Sequence, residues 1–143
     1  MLMLLGMTKP DFSGNWTVNL EKSEHGDSSP KTLRLTQTKD SLFVERTTAN
    51  DLSFVEKISF DGKTFTSTTT SKRRKSGSAH WDADSASFTE NAVLGDVNDQ
   101  DKTAFTVLEH WQLSGDGKQL TVETTLSNPA GQSVTSKAVY DKN

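Results

Sequence analysis

Four charged residues interrupt the apolar face of segments that alternate between apolar and polar side chains. Glu56, Glu90 and Glu109 each stand between two apolar residues of the same parity, and Arg46 continues an apolar alternation. Residues two apart in a β-strand point to the same face of the sheet. An ionised group that faces a dry core costs several kcal/mol unless it is paired. If the alternation holds, these side chains line a wet or ligand-filled cavity or pair with one another. The favoured interpretation is instead that β-bulges shift the alternation or that the positions lie at a rim in water.

The excess of carboxylates among these four residues indicates which class of ligand they could bind. Three carboxylates against one guanidinium favour a cationic or hydroxyl-rich ligand over a fatty acid, because fatty-acid binding normally uses the planar fork of Arg for the head group. Arg46 would still bind a carboxylate if Glu56 and Glu109 faced elsewhere. An apolar interior with a few polar groups is typical of a small-molecule site.

Two other charged patterns could serve binding. The basic run at 72–75, Lys-Arg-Arg-Lys, could bind an anionic surface or a phosphate, but its predicted place at a hairpin tip favours a solvated loop. Residues 96–101 resemble the start of a calcium loop. However, Asp101 stands where such a loop needs Gly, and Val107 where it needs Glu, so a polar loop is the better interpretation.

No residue set predicts catalysis, a metal or a cofactor. His25, His80 and His110 are scattered, and metal binding needs converging ligands. His80 and His110 directly precede Trp81 and Trp111, so both histidines should point outward if the tryptophans point inward. The chain has no cysteine, no G-x-S-x-G motif and no Gly-rich phosphate loop.

Period-two alternation runs through the whole chain and predicts an all-β fold. Short connections favour pairing between successive strands, and Asp61-Gly62 is the strongest tight-hairpin signal. An antiparallel up-and-down meander of this size tends to curl and close into a barrel, which removes its edges. A two-sheet sandwich with Greek-key crossovers is the alternative. About ten strands are predicted near 14–20, 31–38, 41–48, 53–60, 63–71, 76–83, 86–94, 103–113, 118–127 and 132–141.

Composition narrows the class of protein further. The chain has 143 residues, a net charge of -3 and a pI of about 5.6, which argues against a nucleic-acid partner. The apolar run at 1–7 is too short to span a bilayer, and no other segment could cross one. We predict a leader or signal remnant over 1–10 and one barrel domain over 11–143. The sequence does not specify an oligomeric state.

Both ends of the chain carry motifs of a known group of proteins. Residues 12–16 read Phe-Ser-Gly-Asn-Trp and are followed by Asn-Leu-Glu-Lys-Ser at 19–23. Residues 116–122 read Asp-Gly-Lys-Gln-Leu-Thr-Val, and Val-Tyr-Asp-Lys follows at 139–142. This pattern resembles small, uncharacterised bacterial lipocalin-like barrels of the calycin type, whose G-x-W start is shared by lipocalins and fatty-acid-binding proteins.

The resemblance implies a fold and a compartment but no catalytic residue. It implies a lipocalin-like or fatty-acid-binding-protein-like barrel in which Trp16 closes one end and Gly14 lets the chain bend across it. It also implies export, so a periplasmic or secreted location is expected. The chain differs from both larger families, since 21–30 leaves no room for a pair of helices and no helix follows the last strand.

The alternation assigns an inward face to each predicted strand. That face includes Leu20 in the first strand and Ala86 in the seventh. The candidate cavity residues are Trp16, Arg46, Phe54, Glu56, Ile58, Phe60, Trp81, Phe88, Glu90, Phe105, Glu109 and Trp111.

Three functions follow from this interior. The first is a non-enzymatic barrel that binds a small hydrophobic or amphipathic ligand. The second is a filled, ligand-free barrel that acts as a structural or protein-interaction module of the bacterial envelope. A third, weaker hypothesis is an enzyme that uses the inward acids.

Overall fold

The computed structural model describes residues 9–24, 29–69, 72–83, 86–99 and 101–143. Its secondary structure is β-sheet, as the alternation predicts, and the part of the chain described includes no helix long and apolar enough to cross a membrane. Residues 1–8 of the leader predicted over 1–10, and His25, lie outside the described residues. The strands are β1 (Gly14–Val18), β2 (Thr32–Gln37), β3 (Ser41–Thr47), β4 (Ser53–Ser59), β5 (Phe65–Thr68), β6 (Arg74–Trp81), β7 (Ser87–Gly95), β8 (Thr103–Leu113), β9 (Gln119–Ser127) and β10 (Ser133–Lys142).

The ten strands form one antiparallel sheet that curls into a nearly closed barrel. The strand order is β4-β3-β2-β1-β10-β9-β8-β7-β6-β5, so every strand pairs with its neighbours in sequence except β4 and β5. The first and last strands close the ring, with Trp16 opposite Lys142 and Val18 opposite Tyr140. This arrangement confirms the predicted meander and leaves one gap, between β4 and β5.

The gap between β4 and β5 corrects the prediction of a tight hairpin at Asp61-Gly62. Only Gly62 of the pair has a positive φ, of 80°, whereas a type I′ turn needs positive φ at both central residues. Asp61 forms an isolated bridge with His80 of β6, and the Gly62 amide donates to the Ala79 carbonyl at 3.1 Å. The connection therefore reaches β6 at one end of the barrel instead of pairing β4 with β5.

The two ends of the barrel differ. The closed end holds residues 9–13, the connections β2–β3, β4–β5, β6–β7 and β8–β9, and the C-terminus. At this end Gly14 has a φ of +140°, and a Cβ added to it would lie 2.8 Å from Lys142 Cε, which suits the predicted bend beside Trp16. The open end holds the other connections, including β3–β4, β7–β8 and β9–β10.

Two residues expected on the inward face lie outside it. Leu20 is 59% exposed because β1 ends at Val18 and the chain turns at 20–22. Ala86 is exposed because β7 begins one residue later, at Ser87. In both cases the predicted strand extends past the end of the observed strand. Beyond that end, the alternation no longer fixes the side-chain direction.

Gly77 of β6 lies where the backbone of β7 approaches closely. A Cβ there would lie 2.6 Å from the Asn91 carbonyl oxygen and 2.8 Å from the Ala92 Cβ, so the backbone of β7 would have to move. We expect Gly77→Ala to lower the free energy of unfolding by about 2 kcal/mol, as measured by urea denaturation. Gly115→Ala is the matched control, because nothing lies within 4 Å of its added Cβ. Equal effects of the two substitutions would contradict this packing.

Candidate functional site

Aromatic side chains fill the closed half of the barrel. Phe88 stands at their centre, stacked on Trp111 with ring centroids 5.4 Å apart and packed edge-on against Phe12 at 5.3 Å and Phe60 at 5.1 Å. Trp81 packs against Phe60 at 4.7 Å. Fully buried aromatic pairs of this kind add to the stability that area burial alone provides. This half is therefore a packed core.

Five charged side chains form a network directly above this core, referred to below as the charged cluster: Arg46, Glu56, Lys75, Glu90 and Glu109. All five are buried. The alternation of β3, β4, β7 and β8 is unbroken at these positions, so the inward orientation predicted for the four charged residues is what the structure shows. The expectation that bulges or a rim position would turn them toward water is wrong. Arg46 pairs with Glu56 and Glu109, and Glu90 joins them through Lys75.

Glu56 is the acceptor on which the charged cluster converges. Its Oε1 accepts from Arg46 Nη2 at 2.7 Å, from Arg46 Nε at 3.1 Å and from Lys75 Nζ at 3.0 Å. Its Oε2 accepts from the Ser67 hydroxyl at 3.2 Å. Because Ser67 lies on β5 and Lys75 on β6, these bonds cross the gap at which the backbone ladder is missing.

Glu109 joins the charged cluster to the aromatic core. Its Oε1 accepts from Arg46 Nη2 at 3.3 Å and from Trp111 Nε1 at 3.1 Å, and its Oε2 accepts from the Thr124 hydroxyl at 3.0 Å. The Arg46 guanidinium also lies 5.5 Å from the centroid of the Trp111 ring, within reach of a cation–π interaction. Trp111 is thus held by the charged cluster on one side and by Phe88 on the other.

Glu90 is the carboxyl of the charged cluster that holds a proton near neutral pH. Burial, together with the nearby carboxylates of Glu109 and Glu56, raises its pKa to about 8, although Lys75 Nζ donates to its Oε1 at 3.1 Å. Its Oε2 is buried and has no hydrogen-bond donor, which favours the protonated acid. Glu90 stands directly opposite Glu109, and the protonated carboxyl can donate to that carboxylate.

The other four groups remain ionised. Burial disfavours the charged form of Glu109, but Arg46 and Lys75 lower its pKa to about 2. The pKa of Glu56 is also lowered, since Arg46 and Lys75 outweigh its burial. The pKa values of Arg46 and Lys75 are raised, because the surrounding carboxylates outweigh burial. Two cations then balance two carboxylates, and the charged cluster is neutral while Glu90 keeps its proton.

The interior on the other side of the charged cluster is less completely buried. On β4, Ile58 is fully buried below Glu56, whereas Phe54 is half-buried above it. On β8, Trp111 is fully buried below Glu109, whereas Val107 is half-buried above it. The half-buried, inward-facing side chains of the open half are Phe54, Ser67, Leu94, Phe105, Val107, Thr124 and Leu126.

Comparisons with known proteins identify the architecture. No protein-family model matches the chain, and no curated protein matches it in sequence. Among solved structures, the zebrafish ileal bile acid-binding protein complexed with cholic acid superposes with a TM-score of 0.62 at 13% identity, over 92% of this chain and 98% of that one. Human cRBP IV superposes with a TM-score of 0.59 at 16% identity, over 93% and 98% of the two chains. The fold is shared with these binding proteins. This agrees with the predicted barrel of the lipocalin and fatty-acid-binding-protein type.

The barrel brings the predicted site residues into three layers. Trp16, Phe60, Trp81, Phe88 and Trp111 lie in the closed core with Ile58. Arg46, Glu56, Glu90 and Glu109 form the charged cluster, and Phe54 and Phe105 lie in the open half. Whether a ligand contacts them stays a prediction.

Sequence reasoning missed Lys75, the second cation of the charged cluster. The basic run at 72–75 was expected to be a solvated loop, yet Lys75 is 5% exposed and pairs with both Glu56 and Glu90. The signal was available, since Lys75 shares the parity of Ala79 and Trp81. The predicted start of this strand, at 76, was too late, because β6 begins at Arg74.

The outer face of the barrel carries one group of polar side chains and one depression. His110 Nε2 lies 3.1 Å from both Asp82 Oδ2 and the Ser87 hydroxyl. One ring nitrogen thus contacts both partners, whereas a catalytic triad needs the two nitrogens to contact different ones. Within the described ranges, no three His, Asp or Glu side chains converge to hold a metal. A depression of about 440 Å³ crosses β6–β9 on the outside, lined by residues such as Asn91 and Leu108.

Replacing Lys75 should destabilise the barrel strongly. Lys75→Met leaves Glu56 with one cation fewer and Glu90 without its donor, and breaking a buried ion pair on one side costs about 3–5 kcal/mol. Thermal and urea unfolding measure the loss. Lys63→Met on the exposed β4–β5 connection is the control and should stay within about 0.5 kcal/mol of the parent protein. A loss below about 1 kcal/mol for Lys75→Met would mean that the pairing contributes little.

Replacing Glu90 should change how stability depends on pH. Since Glu90 keeps its proton to about pH 8 in the folded chain but loses it near pH 4.5 when unfolded, it binds more protons in the folded state between these values. Its contribution to stability therefore falls as pH rises through this window, by at most about 1 kcal/mol per pH unit. Glu90→Gln should remove that decline. The free energy of unfolding of the variant should therefore rise relative to that of the parent protein from pH 4.5 to 8. Parallel stability profiles of the two proteins would show that Glu90 is ionised at neutral pH.

Proposed function

We propose that this protein is a non-enzymatic barrel that binds a small, partly apolar ligand in the open half of its interior. The observation that carries the proposal is the change in burial along single strands. On β4 and β8, the inward side chains Ile58 and Trp111 are fully buried below the charged cluster, whereas Phe54 and Val107 are half-buried above it. An apolar recess that ends on a few fixed polar groups is the usual form of a small-molecule site.

The open half supplies both parts of such a site. Phe54, Phe105, Val107 and Leu126 offer apolar surface to the body of a ligand. The charged cluster at the bottom of the recess meets the polar group of the ligand, with Arg46 as the donor nearest to Phe54 in the strand register. The strand network holds these groups in place before a ligand arrives, which reduces the entropy lost on binding.

The comparisons support this proposal. Two barrels of the same fold are described as binding proteins by their names, and one of them is complexed with cholic acid, an amphipathic molecule. Sequence identity to both is low, so the support concerns the architecture and not the choice of ligand.

The motifs at the two ends of the chain support a further proposal about the protein family and the cellular compartment. On their resemblance to bacterial lipocalin-like barrels, we assign the chain to that group and expect it to act outside the cytoplasm, in the periplasm or after secretion. Fractionation of cells that express the gene from its own full reading frame tests this assignment. Recovery in the cytosolic fraction alone would contradict it.

The alternative, a ligand-free structural or interaction module, draws its support from the closed half. The aromatic contacts around Phe88 show that part of this barrel is filled by its own side chains. Native mass spectrometry of protein purified gently from cells separates the two functions. An added mass that leaves on denaturation supports the binding function, and a bare mass across lipids, amines and sugars supports the module.

A blocking substitution tests where the ligand lies. Val107→Trp places a large ring in the open half, and we expect it to weaken uptake of a fluorescent apolar probe at least about tenfold, by occupying the recess. Leu108→Trp is the matched control, because Leu108 is the next residue on β8 and is exposed on the outer face. Circular dichroism verifies that both variants fold. If Leu108→Trp weakened the probe as much as Val107→Trp, the ligand would lie outside the barrel.

A further inference from the structure

The balance of charge in the charged cluster limits what the ligand can carry. Arg46 is shared between Glu56, at 2.7 and 3.1 Å, and Glu109, at 3.3 Å. Lys75 is shared between Glu56 at 3.0 Å and Glu90 at 3.1 Å. Three carboxyl groups thus engage both cations, and neither cation is left with an unbalanced charge for a ligand to neutralise.

The members of the charged cluster that keep some exposed surface are Arg46, Lys75 and Glu109. Their side chains are 9%, 7% and 8% exposed, whereas those of Glu56 and Glu90 are not exposed at all. Among the described residues, no side chain or carbonyl accepts a hydrogen bond from Arg46 Nη1. A ligand head group that reaches the charged cluster therefore meets a free N–H donor beside the carboxylate of Glu109.

We propose that the ligand of this site has an uncharged polar head group, of which a hydroxyl is the simplest form, and that the site discriminates against a carboxylate and an ammonium. This inference rests on the proposed binding function and specifies its ligand class. A hydroxyl accepts from Arg46 and donates to Glu109, so both groups gain a partner and no charge is added. A carboxylate would be a fourth acidic group against two cations, and an ammonium would face Arg46 and Lys75 at close range.

The state of Glu90 supports the same conclusion. The groups that face it are Lys75 from β6, Glu109 from β8, Glu56 from β4 and Arg46 from β3. Because burial and the two carboxylates keep Glu90 protonated to about pH 8, the charged cluster is neutral at pH 7 and gains one negative charge above pH 8. An ionised head group of either sign would break the neutrality at pH 7.

A matched series of head groups tests the proposal at pH 7. Decanoic acid, 1-decanol and decylamine share one chain and differ only in the head, and competition with a fluorescent probe or quenching of tryptophan fluorescence gives their affinities. We expect the alcohol to bind at least about tenfold more tightly than the acid or the amine. An acid or amine that binds as tightly as the alcohol would overturn the proposal. Failure of all three to bind would overturn the proposed binding function itself.

A charge-removing substitution separates this preference from simple partitioning of the more apolar molecule. Glu109→Gln keeps the size of the side chain and leaves Arg46 with one counter-charge fewer, so we expect the affinity for decanoic acid to rise about tenfold and that for 1-decanol to change little. Glu123→Gln makes the same chemical change on the exposed outer face of β9 and should alter neither affinity. An unchanged acid affinity in folded Glu109→Gln would contradict the proposal.

The parent protein provides a second readout that does not depend on a variant's folding. Ionisation of Glu90 above pH 8 adds a negative charge beside the site. From pH 7 to 9, we therefore expect decylamine to gain affinity relative to 1-decanol and decanoic acid to lose it. A ratio of affinities that stays constant across this range would contradict the assigned charge balance.

Discussion

The barrel has no backbone ladder between β4 and β5, and buried charge bridges that gap. Glu56 of β4 reaches Ser67 of β5 and Lys75 of β6 from a single carboxylate, and the same carboxylate accepts from Arg46 of β3. Around the rest of the ring, adjacent strands are joined by regular antiparallel pairing. The buried ion pairs therefore join the strands on the two sides of this gap, as backbone hydrogen bonds join adjacent strands elsewhere. These ion pairs lie in the interior of the barrel.

Burying five ionisable groups is unfavourable for each group taken alone, and mutual pairing offsets that cost. The arrangement works because each charge has several partners: Glu56 and Glu109 each accept from three residues, and Glu90 is relieved of its charge by protonation. Loss of one member would leave the others buried and unbalanced. The charged cluster is thus a cooperative unit, and its members support Trp111 and the aromatic core beneath it.

The charged cluster also divides the interior into two regions with different roles. Below it, Phe88, Phe12 and Trp111 are fully buried. They supply apolar burial on which a chain with only 31% hydrophobic residues depends. Above it, side chains such as Val107 and Phe105 remain partly exposed. A recess can exist in this barrel because the closed half and the charged cluster stabilise the fold without it.

The sequence by itself determined the strands, their order and the inward parity of Arg46, Glu56, Glu90 and Glu109. It could do so because the two-residue period of side-chain direction is a local property, which can be read from each strand separately. It did not determine that β4 and β5 separate, since Asp61-Gly62 satisfies local turn chemistry whether or not the flanking strands pair. It also did not reveal that Lys75 completes the charged cluster. Pairing among β3, β4, β6, β7 and β8 depends on the curvature that brings distant strands face to face, and only the tertiary structure decides that curvature. For the same reason the closed and open halves, and the proton on Glu90, follow from burial that no single strand encodes.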